Sequence, residues 1–395
     1  MKYYLIAGEA SGDLHGSKLM GGLKIKDPEA EFRYFGGDLM AAEGGILVRH
    51  YRQTAVMGLF KVITNLGRIS RNLKLCRQDI LAYRPDALIL IDYSGFNLRI
   101  ARWARPAGFR VIYYISPKVW AWNSRRVRTI KEYVDRMYVI LPFEVDFYRE
   151  HDYPVEYVGN PVLDSVEQHR ADPLSRQEFL EKNRLEDEPI IALLAGSRRE
   201  EIRHCLPEML AVTGEFPGYR FVIAGAPGIS PELYSRYTGV YSGSLESGES
   251  GRSTASGGST VHIVFNQTYD LLMQAEAAVV TSGTATLETA LFGVPEAVIY
   301  KMGKLTYTIG SRFIKPRFFS LVNLIMDREV VREILQVRVR QKISAELHRI
   351  LEDESYRKQM QEDFRELRSR LGETDAPLRL AERITAFLGE SASTG

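Results

Sequence analysis

Cysteine is scarce in this 395-residue sequence: Cys76 and Cys205 are the two it has, and they lie far apart. That excludes a disulfide scaffold, suggests a reducing compartment, and makes both thiols candidates for small buried hydrophobes. The histidines are scattered with no H-x-x-x-H pair, and no C-x-x-C occurs. The sequence therefore offers no metal site, and no cofactor is expected. Charge of one sign is also lacking: the net charge is +2, which removes the global signature of a nucleic-acid binder. No apolar run approaches the roughly 18 residues needed to span a bilayer. The chain opens on a strand, Tyr3-Tyr4-Leu5-Ile6-Ala7, without a basic region and apolar core ahead of it. The expectation is a cytoplasmic protein, with a membrane surface still open as a place to bind.

What is present reads as repeated strand–loop–helix units, which imply doubly wound parallel sheets. The length suits two domains of about 180 residues. Residues 86–92, Asp86-Ala87-Leu88-Ile89-Leu90-Ile91-Asp92, form the near-continuous apolar run of a central parallel strand. Asp92 falls at its C-terminal end, where open α/β sheets bind ligands. The polar stretch 164–189 is the candidate linker, and a second α/β set follows it. Residues 242–260, rich in Ser and Gly, cannot bury a core and read as a mobile surface loop. The C-terminal 330–390 reads as helical and heavily charged.

The stretch 277–295 carries the clearest local chemistry. Ala277–Thr281 is a short buried strand, Ser282-Gly283-Thr284 a tight turn, and Leu287, Leu291 and Phe292 the apolar face of a helix. Thr284 is expected to cap that helix. Free N–H groups and the positive dipole end make such a joint an anion site. Glu288 lies one turn further on, placed to accept from a ribose diol, or else simply solvated. Gly196-Ser197-Arg198 is a second glycine turn after a buried strand, and Arg198 adds a bidentate cation suited to a diphosphate.

In the first half, Gly8-Glu9-Ala10-Ser11-Gly12-Asp13-Leu14-His15-Gly16 is a glycine-rich turn carrying three titratable groups, Glu9, Asp13 and His15. It is neither G-x-G-x-x-G nor G-x-x-x-x-G-K-[ST]. Tyr93-Ser94-Gly95-Phe96-Asn97 follows Asp92, and Ser116 through Trp122 follows another buried strand with two tryptophans. Met57, Leu59, Phe60 and Ile63 precede a basic stripe, Arg68, Arg71, Lys74 and Arg77. Taken alone, that region is either an interfacial helix on anionic lipid or a core helix with a solvated basic face.

Taken in order, these motifs resemble those of the lipid-A-disaccharide synthase family. The series is Gly8–Asp13, Ala55-Val56-Met57-Gly58, Ile91-Asp92 with Phe96-Asn97, Ser116-Pro117 through Trp122, and Leu141-Pro142-Phe143-Glu144. It continues with Gly196–Arg198, Ser282–Glu288, and Ser320-Leu321 with Asn323-Leu324. The resemblance implies a GT-B glycosyltransferase: two Rossmann-like doubly wound domains with an inter-domain cleft and a C-terminal helix crossing back to the first. The expected domains are 1–165, joined by 366–395, for the lipid acceptor and 166–365 for the UDP-sugar. It implies transfer of sugar from UDP-2,3-diacylglucosamine to 2,3-diacylglucosamine 1-phosphate (lipid X), with inversion and without metal.

On that reading Asp92 is the favoured general base, with Glu9 and Asp13 as alternatives. Gly196, Ser197, Arg198, Ser282, Gly283, Thr284, Ala285, Glu288 and Asn323 would hold UDP. His15, Met57, Leu59, Phe60, Ile63, Arg68, Arg71, Ser116 and Trp120 would meet the acceptor or the inner-membrane surface. A homodimer is left open. Tyr93-Ser94-Gly95, Ala195, Asn160, Val322 and Lys61 depart from the family's common residues and bear on acceptor contacts. The competing readings are a nucleotide-sugar epimerase of the same build and a non-catalytic nucleotide-binding protein.

Overall fold

The structure is a computed structural model, and it describes residues 1–54, 66–122, 125–239, 251–254, 260–301 and 317–392. The chain divides into two compact units, Met1–Pro161 with Glu373–Gly395 and Val162–Gly372.

The first unit contains β1 (Lys2–Ala7), β2 (Glu31–Gly36), β3 (Ile46–His50), β4 (Ala87–Ile91), β5 (Val111–Tyr114), β6 (Arg136–Val139) and β7 (Glu156–Tyr157). They form one parallel sheet in the order β3-β2-β1-β4-β5-β6-β7. Alternation along β1 feeds two cores. Tyr4 and Ile6 join Cys76, Ile80, Phe96 and Ile100 on one face. Tyr3, Leu5 and Ala7 join Leu19, Met20 and Leu23 on the other, together with Leu380, Ala381, Ile384 and Leu388 from the far end of the chain. Each of these large side chains contributes about 1.5–3 kcal/mol by leaving water. The helix Ala376–Ala392 is thus built into the first core. It packs on the helix Ala10–Lys26 so closely that a Cβ on Gly22 would lie 2.8 Å from the Pro377 carbonyl oxygen.

The second unit contains β8 (Ile190–Leu194), β9 (Arg220–Gly225), β10 (Gly251–Thr254), β11 (Thr260–Phe265), β12 (Ala275–Thr281), β13 (Glu296–Tyr300) and β14 (Arg332–Leu335). Their order is β10-β11-β9-β8-β12-β13-β14, parallel except for β10. The two-sheet doubly wound α/β architecture expected from the sequence is what the chain adopts.

Several local expectations change. The linker stretch 164–189 is largely helical, as Pro161–Ala171 and Arg176–Asn183, the latter closed by a Ser175–Glu178 capping box. Within 242–260, Gly251–Thr254 pairs antiparallel with β11 as an edge strand, and 242–250 and 255–259 lie outside the described residues. Met57, Leu59, Phe60 and Ile63 also lie outside them.

Candidate active site

Each sheet reverses strand order beside its first strand, and there the sequence motifs converge. In the first unit Ala7 pairs with Ile91, so the turns starting at Gly8 and Asp92 leave the sheet side by side. In the second, Leu194 pairs with Val280, which does the same for the turns starting at Ala195 and Ser282. Such reversal points are where open α/β sheets bind ligands.

Asp92 and Tyr93 both adopt left-handed backbone conformations, each with φ 43°. Such strain in non-glycine residues persists only where neighbours enforce it. Here Asn97 Nδ2 donates to the carbonyls of Asp92 (2.9 Å), Ile91 (3.2 Å) and Ile6 (3.3 Å), and the Tyr113 hydroxyl donates to the Asp92 carbonyl. The Tyr93 ring then lies over Gly8, where a Cβ would come within 2.2 Å of it. Burial, reinforced by the Glu9 carboxylate, pushes the Asp92 carboxyl up to about 6. Lys118 and the Tyr93 N–H pull the other way. A carboxylate with that affinity for a proton suits a general base near neutral pH.

The other acidic candidates differ. Glu9 is the extended residue before the helix Ala10–Lys26. Asp13 is buried and committed: its carboxylate accepts from the N–H groups of Gly37 (2.7 Å), Leu39 (3.1 Å) and Met40 (3.1 Å). It holds the start of the helix Asp38–Ala42, so three of its acceptor positions already serve the fold. His15 Nδ1 is buried without a partner among the described residues, and the ring meets Tyr114 edge-on at 6.4 Å. Burial first, then Lys18, pulls its pKa down to about 4, so it is neutral at pH 7.

The segment after β5 is held from below. Ser116 Oγ lies 2.7 Å from the Tyr148 hydroxyl, and Trp120 Nε1 donates to Glu144 Oε1 at 3.2 Å. Glu144 also accepts from the Leu141 N–H at 3.2 Å. Burial raises its carboxyl to about 7 against those hydrogen bonds and Lys118. Glu144 lies in the Leu141–Glu144 motif, but its role was not legible there because its side-chain donor, Trp120, comes from another loop. The helix Leu66–Tyr83 buries Asn72, Cys76 and Ile80, half-buries Arg68 and exposes Arg71 and Lys74.

In the second unit Gly196 has φ 106° and Glu201 folds back under it. One Glu201 oxygen accepts from the N–H groups of Ser197 (3.0 Å) and Arg198 (3.2 Å), and the other from the Arg198 guanidinium (3.1 Å). The open anion site expected at this turn is therefore filled by the chain's own carboxylate, at the third helical position that favours such back-bonding. Arg198 itself is exposed.

At the neighbouring turn, Gly283 rather than Thr284 is the N-cap; Thr284 is the first residue of the helix Thr284–Leu291. The expected side-chain cap is absent, because Thr286 Oγ1 and N bond the Gly283 carbonyl instead. Among the described residues the N–H groups of Thr284 and Ala285 carry no hydrogen bond. Ser282 Oγ donates to the Phe319 carbonyl at 2.8 Å.

Glu288, one turn in, accepts from the Tyr269 hydroxyl at 2.8 Å. Burial raises its pKa and that hydrogen bond lowers it. Tyr269 packs between Phe292 (5.1 Å) and His169 (5.4 Å), and His169 Nε2 lies 2.9 Å from Asp270. Tyr269 was not legible as a site residue, since nothing in its own helix, Thr268–Gln274, points to Glu288. Asn323 corrects an expectation: it is fully buried, and its amide is spent on Val331 O (2.9 Å), Glu333 (3.0 Å) and the N–H groups of Val330 (2.8 Å) and Val331 (3.0 Å). It braces the turn ahead of β14 instead of facing a phosphate.

Among the described residues no group of three or more His, Cys, Asp or Glu is arranged to hold a metal, and no helix is long and apolar enough to cross a membrane.

Comparison with known proteins completes the picture. The chain is similar over its full length to the solved UDP-GlcNAc 2-epimerase from Neisseria meningitidis bound to UDP-GlcNAc, with TM-score 0.62, 12% identity and 100% of each chain covered. It is likewise similar to the glycotransferase of kitacinnamycin, with TM-score 0.59, 13% identity and 98% of each chain covered. At such identities these likenesses speak for the GT-B fold alone. Sequence goes further. The lipid-A-disaccharide synthase of Myxococcus xanthus (strain DK1622) is 38% identical over 391 residues, 97% of each chain. The profile described as lipid-A-disaccharide synthetase matches residues 3–216 and 253–382, which takes in the turns at both sheet-reversal points. The resemblance drawn from the ordered motifs is borne out, and the chain belongs to the lipid-A-disaccharide synthase family, glycosyltransferases of lipid A biosynthesis.

Proposed function

We propose that the protein transfers 2,3-diacylglucosamine from its UDP conjugate to the 6-hydroxyl of lipid X, releasing UDP and a β-1,6-linked disaccharide 1-phosphate. The observation that supports this reading is the register of β8 against β12, Leu194 on Val280, by which the turn leading to Arg198 and the turn leading to the open N–H groups of Thr284 and Ala285 leave neighbouring strand ends. Together they offer a cation and two dipole-aligned donors to a departing diphosphate. Glu288, aimed by Tyr269, accepts from the ribose diol.

In the first unit Asp92 takes the proton from the acceptor hydroxyl as that oxygen attacks the anomeric carbon. The C–O bond to UDP breaks in the same displacement, and the configuration inverts. A positioned base of this kind contributes about 10²–10⁴-fold. Charge stabilisation by protein groups makes the reaction independent of added metal. The exposed Arg71 and Lys74, with the apolar residues preceding them in sequence, suit a cytoplasmic protein held peripherally at the anionic inner-membrane surface. A homodimer is compatible with this reading.

The deciding experiment incubates the protein with UDP-2,3-diacylglucosamine and lipid X in excess chelator. Disaccharide 1-phosphate and UDP in equal amounts are the expected products. UDP-sugar altered at C2 with lipid X untouched would favour the epimerase reading instead, and no product from any acylated UDP-sugar would leave a nucleotide-binding role.

A further inference from the structure

Glu144 and Tyr148 stand four residues apart on the helix Phe143–Arg149, and both are buried. That spacing puts them on one helical face. Each holds one end of the same loop: Tyr148 meets Ser116 at 2.7 Å, and Glu144 accepts from Trp120 at 3.2 Å. Between those anchors Lys118 acts electrostatically on both the Glu144 and Asp92 carboxylates, so the loop lies beside the proposed base. Register agrees: Tyr114, the last residue of β5, pairs with Ile91 just before Asp92. The Trp120 indole meets Phe143 edge-on at 5.1 Å and 88°, and the residue is half-buried. A buried carboxyl is a poor way to fill space compared with leucine. It does fix a single donor direction, here that of the indole N–H.

We propose that Glu144 and Tyr148 are positioning residues that fasten Ser116 and Trp120, presenting the Trp120 ring as the flat apolar platform for the acceptor's sugar. An indole face matches the C–H face of a pyranose, and its rotamer decides whether the two lie parallel. This rests on the reading that the first unit takes the acceptor.

The test compares Glu144→Leu, Glu144→Gln, Trp120→Phe, Tyr148→Phe and the Glu144→Leu/Trp120→Phe double variant. Glu144→Leu, Trp120→Phe and Tyr148→Phe should each raise KM for lipid X about five- to tenfold, the scale of one lost hydrogen bond or contact. KM for the UDP-sugar and kcat should stay where they are. Glu144→Gln, whose amide oxygen still accepts from the indole while its NH2 forfeits the Leu141 N–H, should recover part of the loss. The double variant should be no worse than Trp120→Phe alone, because the carboxylate acts through the ring.

A second readout does not depend on turnover. The indole N–H resonance of Trp120, assigned by its absence in Trp120→Phe, should move upfield in Glu144→Leu and hold its place in Glu144→Gln. Multiplying effects in the double variant, an equal rise in donor KM, or an unmoved resonance would overturn the positioning role. A wild-type protein that makes no disaccharide yet shows the resonance shift overturns the assigned reaction and the sugar-platform role, but not the fastening of Trp120.

Discussion

The Tyr269 hydroxyl and a Glu288 carboxylate oxygen are 2.8 Å apart, so the group assigned to the ribose is oriented before any nucleotide arrives. Removing that donor, as Tyr269→Phe, leaves a mostly buried carboxylate without its aim. UDP affinity should fall about five- to tenfold, the net worth of one ordinary hydrogen bond, as read by calorimetric titration with UDP alone. Unchanged affinity would detach Glu288 from the nucleotide.

Asp92 gives a pH signature. Ionised, it is a base; protonated, it is not. The rate under limiting substrate should therefore rise with pH through about 6 and then level off. Asp92→Asn should lower kcat by about 10²–10⁴-fold while UDP still binds. Stability runs the opposite way. Because the folded-state pKa is raised above the unfolded one, the contribution of Asp92 is full in acid and is lost as pH rises through the folded value. Asp92→Asn should accordingly melt higher than wild type at pH 8 and show a smaller difference at pH 4.

On the proposed reading Arg198 turns its guanidinium from Glu201 to the leaving group. Arg198→Ala should weaken UDP binding by about 10- to 100-fold, the range for a charge-assisted pair. Arg198→Lys should recover part of it, since a point charge lacks the planar bidentate geometry. Equal affinity in all three proteins, measured at one ionic strength, would move the diphosphate elsewhere.

Glu296 opens β13 fully buried, and neither carboxyl oxygen has a hydrogen-bond partner among the described residues. Burial raises its pKa well above the usual carboxylate range, so the folded chain keeps a proton that the unfolded chain releases. Stability from this group is complete below about pH 4.3 and declines as pH climbs. Glu296→Met should gain about 1–3 kcal/mol at pH 8 by removing an unsatisfied buried carboxyl. Urea melts should show that gain shrinking toward pH 4.

The strands were legible because runs such as Ala87–Ile91 must be buried on both faces, whatever lies around them. The turns at Gly196 and Gly283 were legible for a related reason: glycine ends an uncharged run and a helix pattern begins. The partners of Asp13 and Asn323 were not legible because a carboxylate or amide announces only its capacity for hydrogen bonds. Which donors it meets is set by packing, and Gly37, Val330 and Val331 reach them through the fold. Glu201 could have been recognised from its place in the first turn of its helix, where a carboxylate bonds back to the N-cap. Glu144 could not, since its partner Trp120 belongs to the preceding strand–helix unit.

The helix Ala376–Ala392 lies against the helix Ala10–Lys26, although the whole second unit separates them along the chain. On the ribosome, then, the first unit emerges with one side of its core incomplete, and Leu19, Met20 and Leu23 wait for Leu380, Ile384 and Leu388. The second unit is free to complete itself earlier. The half made first is the half finished last, and a chaperone guarding that gap would have its task only until the helix Ala376–Ala392 has emerged.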